Sequence, residues 1–315
     1  VLRCGANLLE VFDQKWPFAR NFITTNGHGL MPKLTRPLRS VLYIPGSKPR
    51  ALDKARGLAC DAIIFDLEDA VTPEEKEAAR ETLAGALAEG GYGTRYKIIR
   101  INGLDTPWGA ADAKAAAAMS PDAILLPKVN GPSDLDALAA IVGDMPLWAM
   151  METPLGMLNA GDIAAHARLQ AMVMGTNDLA KDLQTRFRPD RLPLMTGLGL
   201  SVLAAKAHEC AIIDGVYNAF KDDEGLRVEC DQGRDMGFDG KTLIHPAQLD
   251  VANAAFSPSE AEIDLARRQI AAFEEMEASG QGVAVVDGKI VENLHVATAR
   301  ETLAKVEAIA ALNAE

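Results

Sequence analysis

The sequence predicts an α/β protein, a closed TIM (β/α)8 barrel carrying a C-terminal helix-hairpin-helix lid extension. Three observations predict it. From Ser40 onward, short apolar runs alternate with helix-length patterns, which is how parallel strands joined by crossover helices read. Eight such runs are present, and eight strands suit a closed barrel better than an open sheet of mixed order. The runs end in polar or charged residues, as expected where barrel strands open onto their C-terminal mouth.

In order, the predicted strands are 41–44, 62–65, 97–101, 123–126, 147–151, 171–174, 211–216 and 240–244. They hold few polar residues, the pattern of strands buried on both faces. After the second strand, Thr72, Pro73 and Glu75 combine an N-cap, a first-turn proline and a box-closing glutamate, predicting a helix over 76–88. Pro107, Pro132, Pro154 and Pro246 stand similarly just after later strands, and a helix over 154–167 is predicted between strands five and six. The connection between strands six and seven is long. Its stretch 187–199, rich in Pro, Arg and Leu, is expected over the mouth or against a neighbour. A helix to Ala255 closes the eighth unit. Beyond it, Ser257, Pro258 and Glu260 start a helix to about residue 278, 283–292 reads as a hairpin around Asp287-Gly288, and a last helix begins near His295.

The chain therefore divides into an N-terminal extension at 1–38, a catalytic barrel at 39–256 and a lid and assembly extension at 257–315. The first thirty residues have no settled period; Met31 reads as a natural start, with a non-native or weakly transit-like segment ahead of it. A length of 315 residues suffices for a large core. The net charge of -12 leaves no excess of Lys and Arg to neutralise phosphates, which argues against nucleic acid and anionic membrane as partners. No apolar run approaches the roughly 18 residues that span a bilayer. Cys4, Cys60, Cys210 and Cys230 form no C-x-x-C pair and read as reduced residues of a cytoplasmic protein. A small-molecule substrate fits best.

Chemistry is expected at the strand ends. Glu152 follows strand five and Asp178 follows strand six, so both emerge at one edge of the sheet, where two hard oxygen ligands could hold a divalent metal. Each could instead cap the helix that follows, but Thr153 already stands as an N-cap before Pro154, leaving Glu152 without that duty. Gly175, Thr176 and Asn177 suit close backbone approach to a ligand. Asp66, Glu68 and Asp69 crowd the end of strand two, and three acids there repel one another unless a metal, a water or an arginine partner is present. Lys128 is as suited to pairing with one of these acids as to touching substrate, and His245 to bonding its own backbone as to acting as a base. Ser47 has no Ser-His-Asp partner set, so a hydrolytic triad is rejected.

Seven ordered motifs carry a family resemblance: Leu42-Tyr43-Ile44-Pro45-Gly46-Ser47, Asp66-Leu67-Glu68-Asp69, Arg100-Ile101-Asn102-Gly103, Leu126-Pro127-Lys128-Val129, Glu152-Thr153-Pro154, Gly175-Thr176-Asn177-Asp178 and Ile244-His245-Pro246. The chain resembles the citrate lyase beta subunit-like (CitE-like) branch of the HpcH/HpaI aldolases, which includes malyl-CoA and citramalyl-CoA lyases and malyl-CoA thioesterases. The resemblance implies a trimeric or hexameric TIM barrel, dependent on Mg2+ (or Mn2+), acting on a 3-hydroxyacyl-CoA thioester. It implies Glu152 and Asp178 as metal ligands and Arg100 at the thioester oxygen. Glu68 and Asp69 would order metal-bound waters, the backbone from Gly175 through Thr176 to Asn177 would seat the substrate carboxylate, and Tyr43, Lys48 and Arg50 would meet the CoA. The lyases carry an aspartate on the lid where this chain has Glu292, one methylene longer. Carbon-carbon lysis of a malyl-CoA or citramalyl-CoA is the leading expectation and thioester hydrolysis its closest alternative. A citryl-carrier-protein lyase subunit and an aldolase of free 2-keto acids are further alternatives.

Overall fold

The computed structural model describes residues 34–279 and 282–313. The expected start at Met31 and the segment ahead of it lie outside the described residues. Eight parallel strands, β1 (Ser40–Pro45), β2 (Ala62–Asp66), β3 (Tyr96–Arg100), β4 (Ala123–Leu126), β5 (Leu147–Met151), β6 (Leu169–Met174), β7 (Ala211–Asp214) and β8 (Gly240–Leu243), pair in sequence order. The cylinder closes where Ser40 of β1 lies against Lys241 of β8. The connecting helices are α1 (Pro49–Ala55), α2 (Lys76–Glu89), α3 (Gly109–Ala118), α4 (Pro132–Val142), α5 (Pro154–Leu158), α6 (Ala160–Ala164), α7 (Thr176–Asp182), α8 (Met195–Ala207), α9 (Asp223–Met236) and α10 (Leu249–Ala255).

The two-residue strand period splits the apolar side chains into two layers. Val41, Ile64, Ile98, Leu125, Trp148, Val173 and Ile213 fill the barrel, whereas Leu42, Ile63, Phe65, Ile99, Ile124 and Met172 face the helices. Such strands read as unbroken apolar runs because both faces are buried. Deep in the barrel the Tyr96 and Trp148 rings stack with centroids 5.7 Å apart. Gln170 accepts from both the Tyr96 hydroxyl and, at 3.2 Å, the Trp148 indole N–H, so neither polar tip is left unpaired.

Several local expectations are corrected. Thr72 makes no side-chain cap; Pro73–Glu75 forms a single 3-10 turn before α2, and the Glu75 carboxylate is taken by Lys48 at 2.9 Å. The helix expected over 154–167 is two short ones, because the chain breaks at Asn159, whose amide donates to the Asn130 carbonyl at 2.7 Å. Strand seven stops at Asp214, two residues short of the expected end. Its successor Gly215 lies so close to Thr176 that a Cβ there would come within 2.5 Å of the threonine oxygen.

The extension comprises α11 (Glu260–Ser279), a hairpin of β9 (Ala284–Val286) and β10 (Lys289–Val291), and α12 (Asn293–Asn313). Asp287 and Gly288 both have positive φ, as a two-residue type I′ connection requires. Ala284, Val291 and Val296 bury against Ile270, Phe273 and Met276 of α11. Ser259, rather than Ser257, is the residue that reciprocates with an acid, exchanging bonds with Glu262. The bonds tying this extension to the barrel lie at the N-terminal ends of the strands. Arg39, just before β1, donates to the Ser257 hydroxyl at 3.1 Å, and Arg234, ahead of β8, pairs with Glu262 at 2.7 Å.

Candidate active site at the barrel mouth

Arg100 ends β3 directly opposite Asp66, which ends β2. Both side chains continue the inward-facing row, so guanidinium and carboxylate meet inside the mouth. Two parallel bonds join them, Nε to Oδ1 at 2.7 Å and Nη2 to Oδ2 at 2.6 Å. Burial alone would raise the Asp66 carboxyl, but Arg100 and the Glu68 and Ala70 N–H groups overcome it and hold it below its usual range. Those same N–H bonds wind the 66–70 segment into a tight turn. Lys76 reaches up from α2 to fix it, its ammonium donating to the Leu67 and Glu68 carbonyls at 3.0 and 2.7 Å.

The remaining Arg100 nitrogen, Nη1, stands 2.9 Å from Glu68 and 3.6 Å from Asp69. The two acids differ in setting. Glu68 is buried, whereas the Asp69 side chain is 60% exposed at the rim. Glu68 Oε1 accepts from Lys128 Nζ at 2.6 Å. Its Oε2, although within ion-pair distance of Arg100, lies off the N–H direction and has no hydrogen bond. Burial raises the Glu68 carboxyl despite the Arg100 and Lys128 charges.

Glu152 is 1% exposed. Its Oε1 accepts the Lys128 backbone N–H at 2.7 Å, while its Oε2 faces Gly175 so closely that a Cβ there would stand 2.3 Å away. Only glycine fits at that position. Burial, with Glu68 adding repulsion, pushes the Glu152 carboxyl up to about 7. Lys128 thus serves both acids, one through its main chain and one through its side chain, and does so from a left-handed backbone at φ 52°. Thr153 accepts from the Gly156 N–H at 3.0 Å, so the predicted cap is present and Glu152 is left to the mouth.

Asp178 occupies the first turn of α7, half-buried, one strand away from Glu152. Asn177 and Asn218 exchange amide bonds between α7 and the segment after β7. Tyr43 lies inside the barrel, its ring 4.9 Å beneath the Arg100 guanidinium and its hydroxyl 3.4 Å from Met150 Sδ, apart from exposed Lys48 and Arg50. His245 accepts from the Ala247 N–H, the backbone-bonding alternative, and its ring lies tilted against Phe220 at 4.6 Å between centroids. Glu292 is not brought to this mouth. Its side chain is exposed, its backbone bonds run to His295 and Val296, and the extension is fastened at the opposite end of the barrel.

Among the described residues, no three His, Cys, Asp or Glu side chains converge as a metal cage. Mg2+ does not need one, since it is commonly held by one or two carboxylates with waters completing the shell. The residues fit such an ion: a buried glutamate whose charge is opposed by its surroundings and an unbonded Glu68 oxygen would both be satisfied by a cation. Asp66 and Lys128 are the mouth residues to which the sequence assigned no definite role. Asp66 stood in plain view within the acid cluster; the in-register arginine that selects it did not.

A family model described as HpcH/HpaI aldolase/citrate lyase matches residues 39–246. The chain belongs to this family. A (3S)-malyl-CoA thioesterase of Cereibacter sphaeroides (strain KD131 / KCTC 12085) is 69% identical over 284 residues, spanning 90% of this chain and 100% of the relative. Citrate lyase subunit beta of Leuconostoc mesenteroides subsp. cremoris is 34% identical, over 84% of this chain and 92% of the relative. Among HpcH/HpaI folds of known structure, CitE from Mycobacterium tuberculosis in complex with magnesium, acetoacetate and coenzyme A superposes with a TM-score of 0.74 at 28% identity, covering 87% of this chain and 100% of that one. The M. tuberculosis citrate lyase beta subunit complexed with oxaloacetate and magnesium gives a TM-score of 0.64 at 30% identity, over 71% and 99% of the two chains.

Proposed function

We propose that this chain is a Mg2+-dependent enzyme acting on a malyl-CoA-type 3-hydroxyacyl thioester, with hydrolysis to the free hydroxy acid and CoA as its reaction. The observation that carries the choice of hydrolysis is the 69% identity to (3S)-malyl-CoA thioesterase across that relative's whole length. This reverses the order of the sequence expectation, in which lysis led.

Bound between Glu152 and Asp178, Mg2+ would supply a Lewis acid for the substrate's oxygens. The chain's own groups do the rest. Arg100, held by Asp66 and incapable of losing its proton at neutral pH, stabilises negative charge developing on the thioester oxygen. Glu68, fixed by Lys128, orients water at the mouth. In hydrolysis water oxygen bonds to the thioester carbon, the carbon-sulfur bond breaks, and the thiolate gains the proton the water loses. Glu292 is the proposed acceptor and donor of that proton, delivered from a second copy of the chain.

The second reading, carbon-carbon lysis, is favoured by the family description and the 34% identity to citrate lyase subunit beta. There the hydroxyl proton passes to a base, the C2–C3 bond breaks to release the aldehyde, and the thioester enolate that Arg100 stabilises takes a proton at C2 to give the acyl-CoA. Purified chain incubated with Mg2+ and malyl-CoA decides by mass spectrometry. Free CoA with malate supports hydrolysis, acetyl-CoA with glyoxylate supports lysis, and no turnover by the chain alone points to a carrier-protein complex.

A further inference from the structure

Beyond α7, the long connection between β6 and β7 plays no part in the chemistry above, yet it plants a charge deep in the outer layer. Arg191 has φ 53° and is 5% exposed. Its Nη1 lies 2.7 Å from both oxygens of Asp214, and its Nε donates to Gln232 of α9 at 2.7 Å. Lys241 completes the group, donating to Asp214 at 3.1 Å and to Glu229 at 2.6 Å. A left-handed backbone in a non-glycine residue and a set of buried ions are each costly, so their combination at one point calls for a structural return.

That return lies one residue further on. Asp214 Oδ1 accepts the Gly215 N–H at 2.8 Å, which fixes the peptide at which β7 ends. Gly215 has no side chain, and the buried Thr176 occupies the space a Cβ would need, with three of its atoms at 2.5, 2.6 and 3.0 Å from that position. Thr176 is the first residue of α7, and Asp178 lies in the same turn. We propose that Arg191 is a positioning residue, clamping Asp214 so that Gly215 sets Thr176 and thereby the place of the Asp178 carboxylate at the mouth. The proposal rests on the reading of Asp178 as a metal carboxylate. It assigns the part of the β6–β7 connection beyond α7 a task in ion and substrate affinity, exerted from outside the barrel.

The test compares Arg191→Met, Arg191→Lys and Gly215→Ala with the unaltered chain, reading Mn2+ affinity by electron paramagnetic resonance, KM and kcat with malyl-CoA, and melting temperature. Arg227→Met serves as control, since the pairs Arg227 makes with Glu224 and Asp231 on α9 are exposed. Arg191→Met is expected to weaken Mn2+ by about tenfold or more and to raise KM more than it lowers kcat. Arg191→Lys recovers part of the loss. Gly215→Ala shows the same signature with the ionic cluster intact, and it decides the matter together with Arg191→Lys if Arg191→Met does not fold. A lowered melting temperature with Mn2+ affinity and KM both within about twofold of the unaltered chain overturns the proposal. Undiminished Mn2+ affinity in Asp178→Asn overturns instead the reading of the site, whatever Arg191 does.

Discussion

Glu152 is the mouth residue whose surroundings most oppose its charge. Burial, with Glu68 adding repulsion, pushes its carboxyl up to about 7 from an ordinary value of 4.5. A carboxyl raised on folding binds its proton more tightly in the native state, so the metal-free protein loses stability as pH climbs from about 4.5 to about 7, by an upper bound of about 3 kcal/mol. Glu152→Gln should flatten that part of the melting profile, and Mg2+ should restore stability above pH 7 in the unaltered chain only. The same substitution, like Asp178→Asn, should abolish turnover while circular dichroism stays unchanged; full activity of both in the presence of chelator would remove the metal site. Arg100→Lys tests the neighbouring charge. Lysine keeps the cation but cannot match the two-point bond to Asp66, so kcat should fall by about a hundredfold with a smaller change in KM. A change confined to KM would make Arg100 a substrate anchor only.

At the scale of elements, the 66–70 turn is held from several sides. Lys76 from α2 and Asn102 from beyond β3 both donate to the Leu67 carbonyl, and the Lys76 ammonium also lies 5.5 Å from the Trp108 ring centre. Lys76→Met removes two donors from buried carbonyls and should cost about 1–3 kcal/mol in urea unfolding, with kcat falling as Glu68 loses its fixed place. Unchanged kcat in the folded variant would show that the turn holds itself. The strands were legible in the sequence because burial on both faces leaves unbroken apolar runs, and the tight hairpin was legible because Asp287-Gly288 accepts positive φ. Element ends were less so. Asn159 breaks a helix through a bond to Asn130, and Gly215 ends β7 against Thr176, both contacts between residues distant in sequence. The twofold duty of Lys128 was hidden for the same reason: a lysine after proline carries no mark of left-handed backbone, nor of the two glutamates that meet it.

For the whole molecule, the extension sits at the base of the barrel, away from the mouth. Lys305 of α12 is lowered by burial, with Asp239 opposing and Arg234, Arg39 and Lys206 reinforcing the shift, and all four of these residues belong to the base of the barrel. Leu155, Leu158, Leu200 and Leu203 on the barrel helices, and Val285, Ile290 and Leu294 on the extension, are exposed apolar side chains. Among the described residues no helix is long and apolar enough to cross a membrane. If Glu292 serves a neighbour's mouth, Glu292→Ala should lose turnover yet keep Mn2+ affinity and assembly. Mixed with Arg100→Ala chains it should regain activity, because some mouths then combine an intact arginine with an intact glutamate. Inactive mixtures of subunits shown to exchange would end the cross-subunit version, and full activity of Glu292→Ala alone would end the catalytic one.

If Glu292 does act across copies, the 20-residue α11, about 30 Å long and fastened at the base, would be a lever whose working end serves another molecule's reaction. Rate per chain would then be a matter of mass action, and turnover should fade on dilution below the concentration at which copies meet, even where each barrel stays folded.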